Sequence, residues 1–147
     1  MSFFSALHTS ASGLTAQRLR MDVISQNVAN VSTTRTAGGG PYKRKTVIFQ
    51  EIKDQSPFAK VLDDFLNRGR QGKGVRVQKV VEDQFPGPKV YDPSHPDADA
   101  EGYVTMPNVN IVEEMVNMIS ASRSYEANVT AINNTKAMIA KTLEIGR

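Results

Sequence analysis

The sequence has no cysteine, no tryptophan, only two histidines, and no apolar run long enough to span a bilayer. Without cysteine there are neither disulfides nor thiolate metal sites, so redox chemistry assigns no compartment. His8 and His95 lie far apart, one in the N-terminal segment and one in an acidic loop. They read as polar residues at a helix flank and on a loop surface, and a histidine-based catalytic site is not expected. A membrane-spanning helix needs roughly 20 predominantly apolar residues. Arg18, Arg20 and Asp22 interrupt the N-terminal segment, and Glu113, Glu114 and Arg123 the C-terminal one, so the chain is not expected to be an integral membrane protein. The N-terminal segment also lacks the charged start, continuous apolar block and small-residue cleavage site of a secretory signal peptide.

The 147 residues, 39% of them hydrophobic, allow one ordinary globular core or a small domain plus long helical arms, and one main folding unit is expected. The net charge of +3 is unevenly spread: residues 32–89 hold 12 Lys/Arg against 6 Asp/Glu, and residues 90–109 hold 4 acids and no base. Such blocks suit docking between neighbouring copies or partners, and equally a weakly basic surface.

Periodicity is the strongest signal. Leu7, Leu14, Met21 and Val28 fall on one line, with Phe3, Ser10, Gln17, Ile24 and Val31 on the next, a coiled-coil-like seam. Ser10 and Gln17 break its apolar character, and Gly13 costs a helix interior about 1 kcal/mol relative to alanine. Downstream of Pro107, Asn110 and Glu113 fit a capping box, which predicts a second long helix. Its seam reads Ile111, Met115, Met118, Ser122, Tyr125, Val129, Ile132, Lys136, Ile139 and Leu143. Asn128, Asn133 and Asn134 make this helix polar for its length, which can fix register along a packed seam. At 1.5 Å per residue the two helices would run roughly 43 and 50 Å, so they can pair along their lengths. Leu19 and Val23 on the first helix, and Val112, Val116 and Ile119 on the second, add apolar lines beyond one seam. Both helices therefore call for further neighbours.

Between them lie strand-like runs at Thr46–Phe49, Val75–Val81 and Gly102–Thr105, separated by Gly- and Pro-containing turns such as Gly38-Gly39-Gly40-Pro41. Residues 56–69 read as a short amphipathic helix or ordered loop. The predicted fold is mainly α with a small β insert: an N-terminal helix in 1–34, a β-rich middle in 35–107, and a C-terminal helix in 108–147. The terminal helices are expected to form an antiparallel coiled-coil-like pair.

No stretch supports catalysis. From Asp97 the chain places oxygens at positions one, three and five and Gly102 at six, as an EF-hand loop does, but position twelve is Asn108 instead of glutamate. An Asx-type turn is the better reading. Gly69–Gly74 fails as a phosphate-binding loop, because Gly74 follows Lys73 where Ser or Thr should stand and Asn67 holds the first-glycine position. Lys43-Arg44-Lys45 lacks the aromatic interleaving and recognition helix of a nucleic-acid site, and reads as a solvated face or one meeting an acidic protein neighbour. No metal, cofactor or nucleic acid is expected.

The stretch Ser25-Gln26-Asn27-Val28-Ala29-Asn30-Val31-Ser32-Thr33-Thr34 resembles the N-terminal signature of the flagellar axial protein family, the rod, hook and hook-junction subunits. The continuation Arg35–Lys45 through Pro41 and Tyr42, the segments Tyr91–Pro93 and His95–Asp99, and Gly102-Tyr103-Val104-Thr105-Met106-Pro107-Asn108-Val109 are similar to the proximal-rod type. The match continues through Met118–Asn128 and covers nearly the whole chain, except residues 55–74. Where the wider family commonly follows its threonine closely with glycine and an aromatic, Thr34 here leads to a longer Gly-rich turn before Tyr42.

The resemblance implies a structural, non-enzymatic subunit exported through the flagellar type III apparatus without a cleaved signal. It would assemble in the cell envelope with copies of itself, other rod subunits, and membrane-ring and rod-base proteins. It also implies terminal helices that are loosely folded before assembly, in keeping with marginal helices whose apolar faces are too broad for a monomer. Another axial subunit, a helical-hairpin export adaptor and a calcium module are the competing readings; the short insert argues against the larger axial proteins.

Overall fold

A computed structural model of the chain describes residues 3–52 and 73–145. The expected helix or loop at 56–69 lies outside the described residues. The described elements run α1 (Phe3–Ala29), β1 (Lys45–Glu51), β2 (Val75–Glu82), β3 (Lys89–Tyr91), β4 (Tyr103–Thr105) and α2 (Ile111–Ile145).

Local chemistry sets the ends of both helices. At the start of α2 the Asn110 side chain accepts the backbone N–H of Val112 at 2.9 Å, satisfying one of the donors a helix leaves open at its first turn. Glu113 and Glu114 follow, where carboxylates favour the positive end of the helix dipole. At the end of α1 the Asn30 amide donates to Gln26 O at 2.8 Å and the Val31 N–H tightens onto Val28 O at 3.3 Å. Within α1, Thr9 and Thr15 return their hydroxyls to the carbonyls of Ser5 and Ala11. Polar side chains that bond back to their own helix leave its backbone intact while weakening its intrinsic propensity.

The strands form two separate two-stranded sheets, β1 with β2 and β3 with β4. The second is antiparallel, pairing Lys89 with Thr105, Val90 with Val104 and Tyr91 with Tyr103. In the first, Asp83 N–H bonds Arg44 O at one end and Ile52 N–H bonds Gly74 O at the other, so β1 and β2 also run in opposite directions. Lys89–Tyr91 was not among the strand-like runs of the sequence, because three residues carry too little alternation to register. The chain reaches β1 through a turn closed by Thr36 N–H to Gly40 O at 2.9 Å, in which Gly39 and Gly40 hold φ of 79° and 76°. Side chains resist that left-handed region, which explains the glycine run.

Two compact units are distinguished, where chain length leads to the expectation of one main folding unit. One comprises Met1–Arg18, Phe49–Gln78 and Arg123–Arg147; the other comprises Leu19–Ile48 and Lys79–Ser122. In the first, Ser12 Oγ of α1 accepts the Val75 N–H of β2 at 3.0 Å. Gly13 stands where an added Cβ would come within 2.9 Å of the Asn128 side chain on α2. In the second, Val23, Ile24, Tyr42, Val104 and Ala121 form the apolar interior. No helix is long and apolar enough to cross a membrane, among the described residues.

Candidate functional site

The second unit is organised around a buried polar junction. Asn27 is 1% exposed and uses its whole amide. Its Nδ2 donates to Lys45 O and to Glu114 Oε2, both at 2.8 Å. Its Oδ1 accepts the Tyr42 hydroxyl and the Lys45 N–H, both at 2.9 Å. Glu114, also 1% exposed, receives Arg44 Nε at 2.9 Å and Arg44 Nη2 at 2.7 Å on Oε1. This two-pronged guanidinium–carboxylate contact is among the stronger and more directional side-chain bonds. Arg44 is in turn placed by its own N–H, bonded to Asn108 Oδ1 at 2.9 Å, and by its carbonyl, bonded to Asp83 N–H at 2.7 Å.

The side-chain polar atoms of Asn27 and Glu114 are all bonded, the condition under which buried polar atoms are tolerated, while Asn108 Nδ2 is buried without a partner. Burial is the main reason the Tyr42 phenol is held above its ordinary pKa, with the Glu82 and Glu114 charges adding to it. Arg44 thus serves an intrachain carboxylate, where the basic run alone reads as a solvated face or one meeting an acidic protein neighbour.

The remaining signature residues shape the neighbouring loops. Thr34 Oγ1 donates to Asp97 Oδ2 at 2.8 Å, and Thr33 Oγ1 donates to Asn30 Oδ1 at 3.1 Å. Gly102 has φ of 83°, and Tyr103 meets Tyr91 edge to face with centroids 5.3 Å apart. Pro107 is buried, Pro41 and Asn108 half-buried, and Ala29 exposed. Asp99 Oδ1 accepts the N–H groups of Glu101 and Tyr103, an Asx turn that commits this carboxylate to its own loop. Asp92 does the same for the Ser94 N–H, and the Ser94 hydroxyl and N–H hold its carboxyl below the ordinary value.

Of the expected seam residues on α1, Ile24 is buried and Leu7, Leu14, Met21 and Val28 are half-buried, as is Val31 just beyond the helix. On α2, Met118, Tyr125, Val129, Ile132 and Ile139 are half-buried, while Ile111, Met115 and Leu143 are exposed. The most buried positions sit one residue away from much of that seam. They are Gly13, Ala16, Val23 and Asn27 on α1, and Glu114 and Ala121 on α2. Small and polar residues occupy these lines, and an apolar count passes over them. The available signal was the spacing of Gly13, Ala16, Val23 and Asn27 by three, seven and four residues, which keeps them on one helix face.

Outside this interior, α2 carries an exposed apolar stripe: Ile111 at 47%, Val112 at 69%, Met115 at 57%, Val116 at 62% and Ile119 at 54%. Their spacing of three and four residues places them on one face of the helix.

Similarity to known proteins extends over the whole chain. The family described as "Flagella basal body rod protein" matches residues 7–35, and the family described as "Flagellar basal body rod FlgEFG protein C-terminal" matches residues 100–145. The chain is 52% identical to the flagellar basal-body rod protein FlgC of Borreliella burgdorferi, over 99% of this chain and 98% of that one. It is 51% identical to the FlgC of Bacillus subtilis and 42% identical to that of Salmonella typhimurium, over the full length of each.

Proposed function

The chain belongs to the FlgC family of flagellar basal-body rod proteins, which are structural and not enzymes, and from that premise we propose that it builds the wall of the proximal rod. In this reading α1 and α2 pair in antiparallel, coiled-coil-like fashion and pack against the helices of neighbouring subunits. The partners are copies of the chain, other rod subunits, and membrane-ring and rod-base proteins. The resulting tube transmits torque and encloses the export channel through which the chain itself arrives. The location is the basal body within the cell envelope, reached through the type III apparatus without a cleaved signal. The segment 35–107 forms an insert beside the helices of 1–34 and 108–147.

Two features support antiparallel pairing: Asn27 bonds Glu114, and Arg20 reaches Asn117 at 3.5 Å, so residues earlier on α1 meet residues later on α2. The observation that carries the assembly reading is the exposed stripe Val112-Met115-Val116-Ile119. Fully covering one such side chain gains about 1.5–3 kcal/mol, and a chain that presents several in a row on one helix face gains it from neighbours.

The test is the double substitution Val112→Asp/Val116→Asp. Both residues are more than 60% exposed, so the fold of the chain should be untouched. Swimming should be lost, and isolated basal bodies should lack the rod. Motile cells with complete rods would refute the proposal.

A further inference from the structure

Among the described side chains, Asn27 and Glu114 are the largest of those less than 2% exposed, and both are polar. Apolar residues of similar volume would fill such a site with equal or greater stability, so burial energy does not account for the choice. The surrounding seam is poor in shape information. Gly13, Ala16 and Ala121 are small, and small residues accept a helix displaced by one heptad nearly as well as the native one.

We propose that Asn27, Arg44 and Glu114 form a register key that selects which turn of α1 lies beside which turn of α2. The inference rests on the antiparallel pairing proposed above, and not on rod assembly.

The competing register is concrete. Sliding α2 by seven residues towards the start of α1 would bring Glu114 beside Arg20, and sliding it as far the other way would put Ala121 against Asn27. In the first of these Glu114 would still find a cation, so charge alone does not reject it. Arg44 cannot follow, because Asp83 fixes its backbone at the mouth of β1. Both guanidinium bonds to Oε1 would be lost, and so would the bond from Asn27 Nδ2 to Oε2. The start of β1 thus acts as an external reference mark against which the two helices are aligned. Tyr42 and Lys45 clamp Asn27 to that same mark. A polar residue that fixes register at the expense of stability is the best-attested use of buried polarity.

The absence of native cysteine makes the register directly readable. Paired substitutions Arg20→Cys/Asn117→Cys report the native alignment. Arg20→Cys/Asn110→Cys and Arg20→Cys/Ser124→Cys report one-heptad displacements in either direction. Disulfide closure is quantified by mass spectrometry in the purified full chain and in basal bodies isolated from cells. With the key intact, the native pair should close in about tenfold excess over either displaced pair, since displacement forfeits three charge-assisted hydrogen bonds. In Asn27→Leu/Arg44→Leu/Glu114→Leu, helix content should persist while a displaced pair closes as readily as the native one. The milder Glu114→Gln, which keeps the shape of the carboxylate, should give an intermediate ratio and serves if the triple variant does not fold.

Exclusive native closure in the variants, or equal closure of all three pairs with the key intact, would overturn the register key alone. Failure of every pair to close, in both purified chain and basal bodies, would overturn the pairing beneath it as well.

Discussion

The unit built from Leu19–Ile48 and Lys79–Ser122 holds most of the buried interior, whereas the unit built from Met1–Arg18, Phe49–Gln78 and Arg123–Arg147 holds little of it. The former contains Val23, Ile24, Tyr42, Val104 and Ala121 together with the satisfied polar junction of Asn27 and Glu114. Among described residues of the latter, Ala16 and Gly13 are the buried ones, and Phe4, Met138, Leu143 and Ile145 are 57–83% exposed. One unit encloses an apolar interior with its own side chains, yet it also carries the exposed Val112, Met115, Val116 and Ile119. The other presents the ends of both helices with most of their apolar residues wet, as expected of segments that neighbours complete.

Removing Ile139–Arg147 should have the largest consequence. It takes Leu143 and Ile145 from the exposed helix end, and motility and rods in isolated basal bodies should vanish while the chain stays soluble. The amides around Tyr42 and Val104, in the better-packed unit, should keep their hydrogen-exchange protection. Normal rods after the truncation would break the contrast between the units.

Next in size is Glu114→Ala, which leaves Arg44 facing a buried vacancy and should cost the second unit about 3 kcal/mol. Exchange rates across Val23–Asn27 would show it, and a loss below about 1 kcal/mol would mean the junction is not what holds this unit.

Tyr42→Phe should remove about 1 kcal/mol by deleting the hydroxyl bond to Asn27. The phenol also gives a pH signature. Its folded pKa is raised above 10.0, so its contribution is complete below that value and falls as pH climbs through the folded pKa. The alkaline loss of stability should therefore shrink in Tyr42→Phe, as followed by circular dichroism against pH; an unchanged alkaline limb would remove Tyr42 from the account.

The smallest effect is expected at Gly13→Ala. Helix propensity gains about 1 kcal/mol, and the new methyl displaces the flexible end of Asn128, so the net change should stay within about that amount. A larger loss, read from thermal unfolding, would show that close helix approach there is tighter than the comparison of units implies.

Much of this was legible before the structure. The capping pair Asn110 and Glu113 placed the start of α2 within a residue, since a side-chain cap is local chemistry. Heptad spacing marked both terminal segments as long helices, the first of which ends at Ala29, before the Val31 that closes its seam. The signature residues Asn27, Tyr42 and Asn108 were singled out by resemblance, but their convergence on Arg44 and Glu114 was not. That convergence joins α1, the start of β1 and the first turn of α2, with Asn27 and Arg44 lying 87 and 70 positions from Glu114 in sequence, and no periodicity reports such distances. Glu114 reads as a charge interrupting a hydrophobic stretch, and Arg44 as one of three bases that are solvated or meet an acidic protein neighbour. Each becomes intelligible only beside the other. The fine placement of the seam escaped for a related reason: Gly13, Ala16, Ala121 and Asn27 line the interior because helices approach closely there, which apolarity does not measure.

The central claim is that the outer face of α2 is finished by neighbouring subunits, and the chain's lack of cysteine offers the most direct measurement. Single substitutions Val112→Cys and Val116→Cys, labelled with a maleimide in the free chain and in isolated basal bodies, compare the same face in both settings. The account predicts rapid labelling in the free chain and strong protection in the basal body. Equal labelling rates in the two would contradict it.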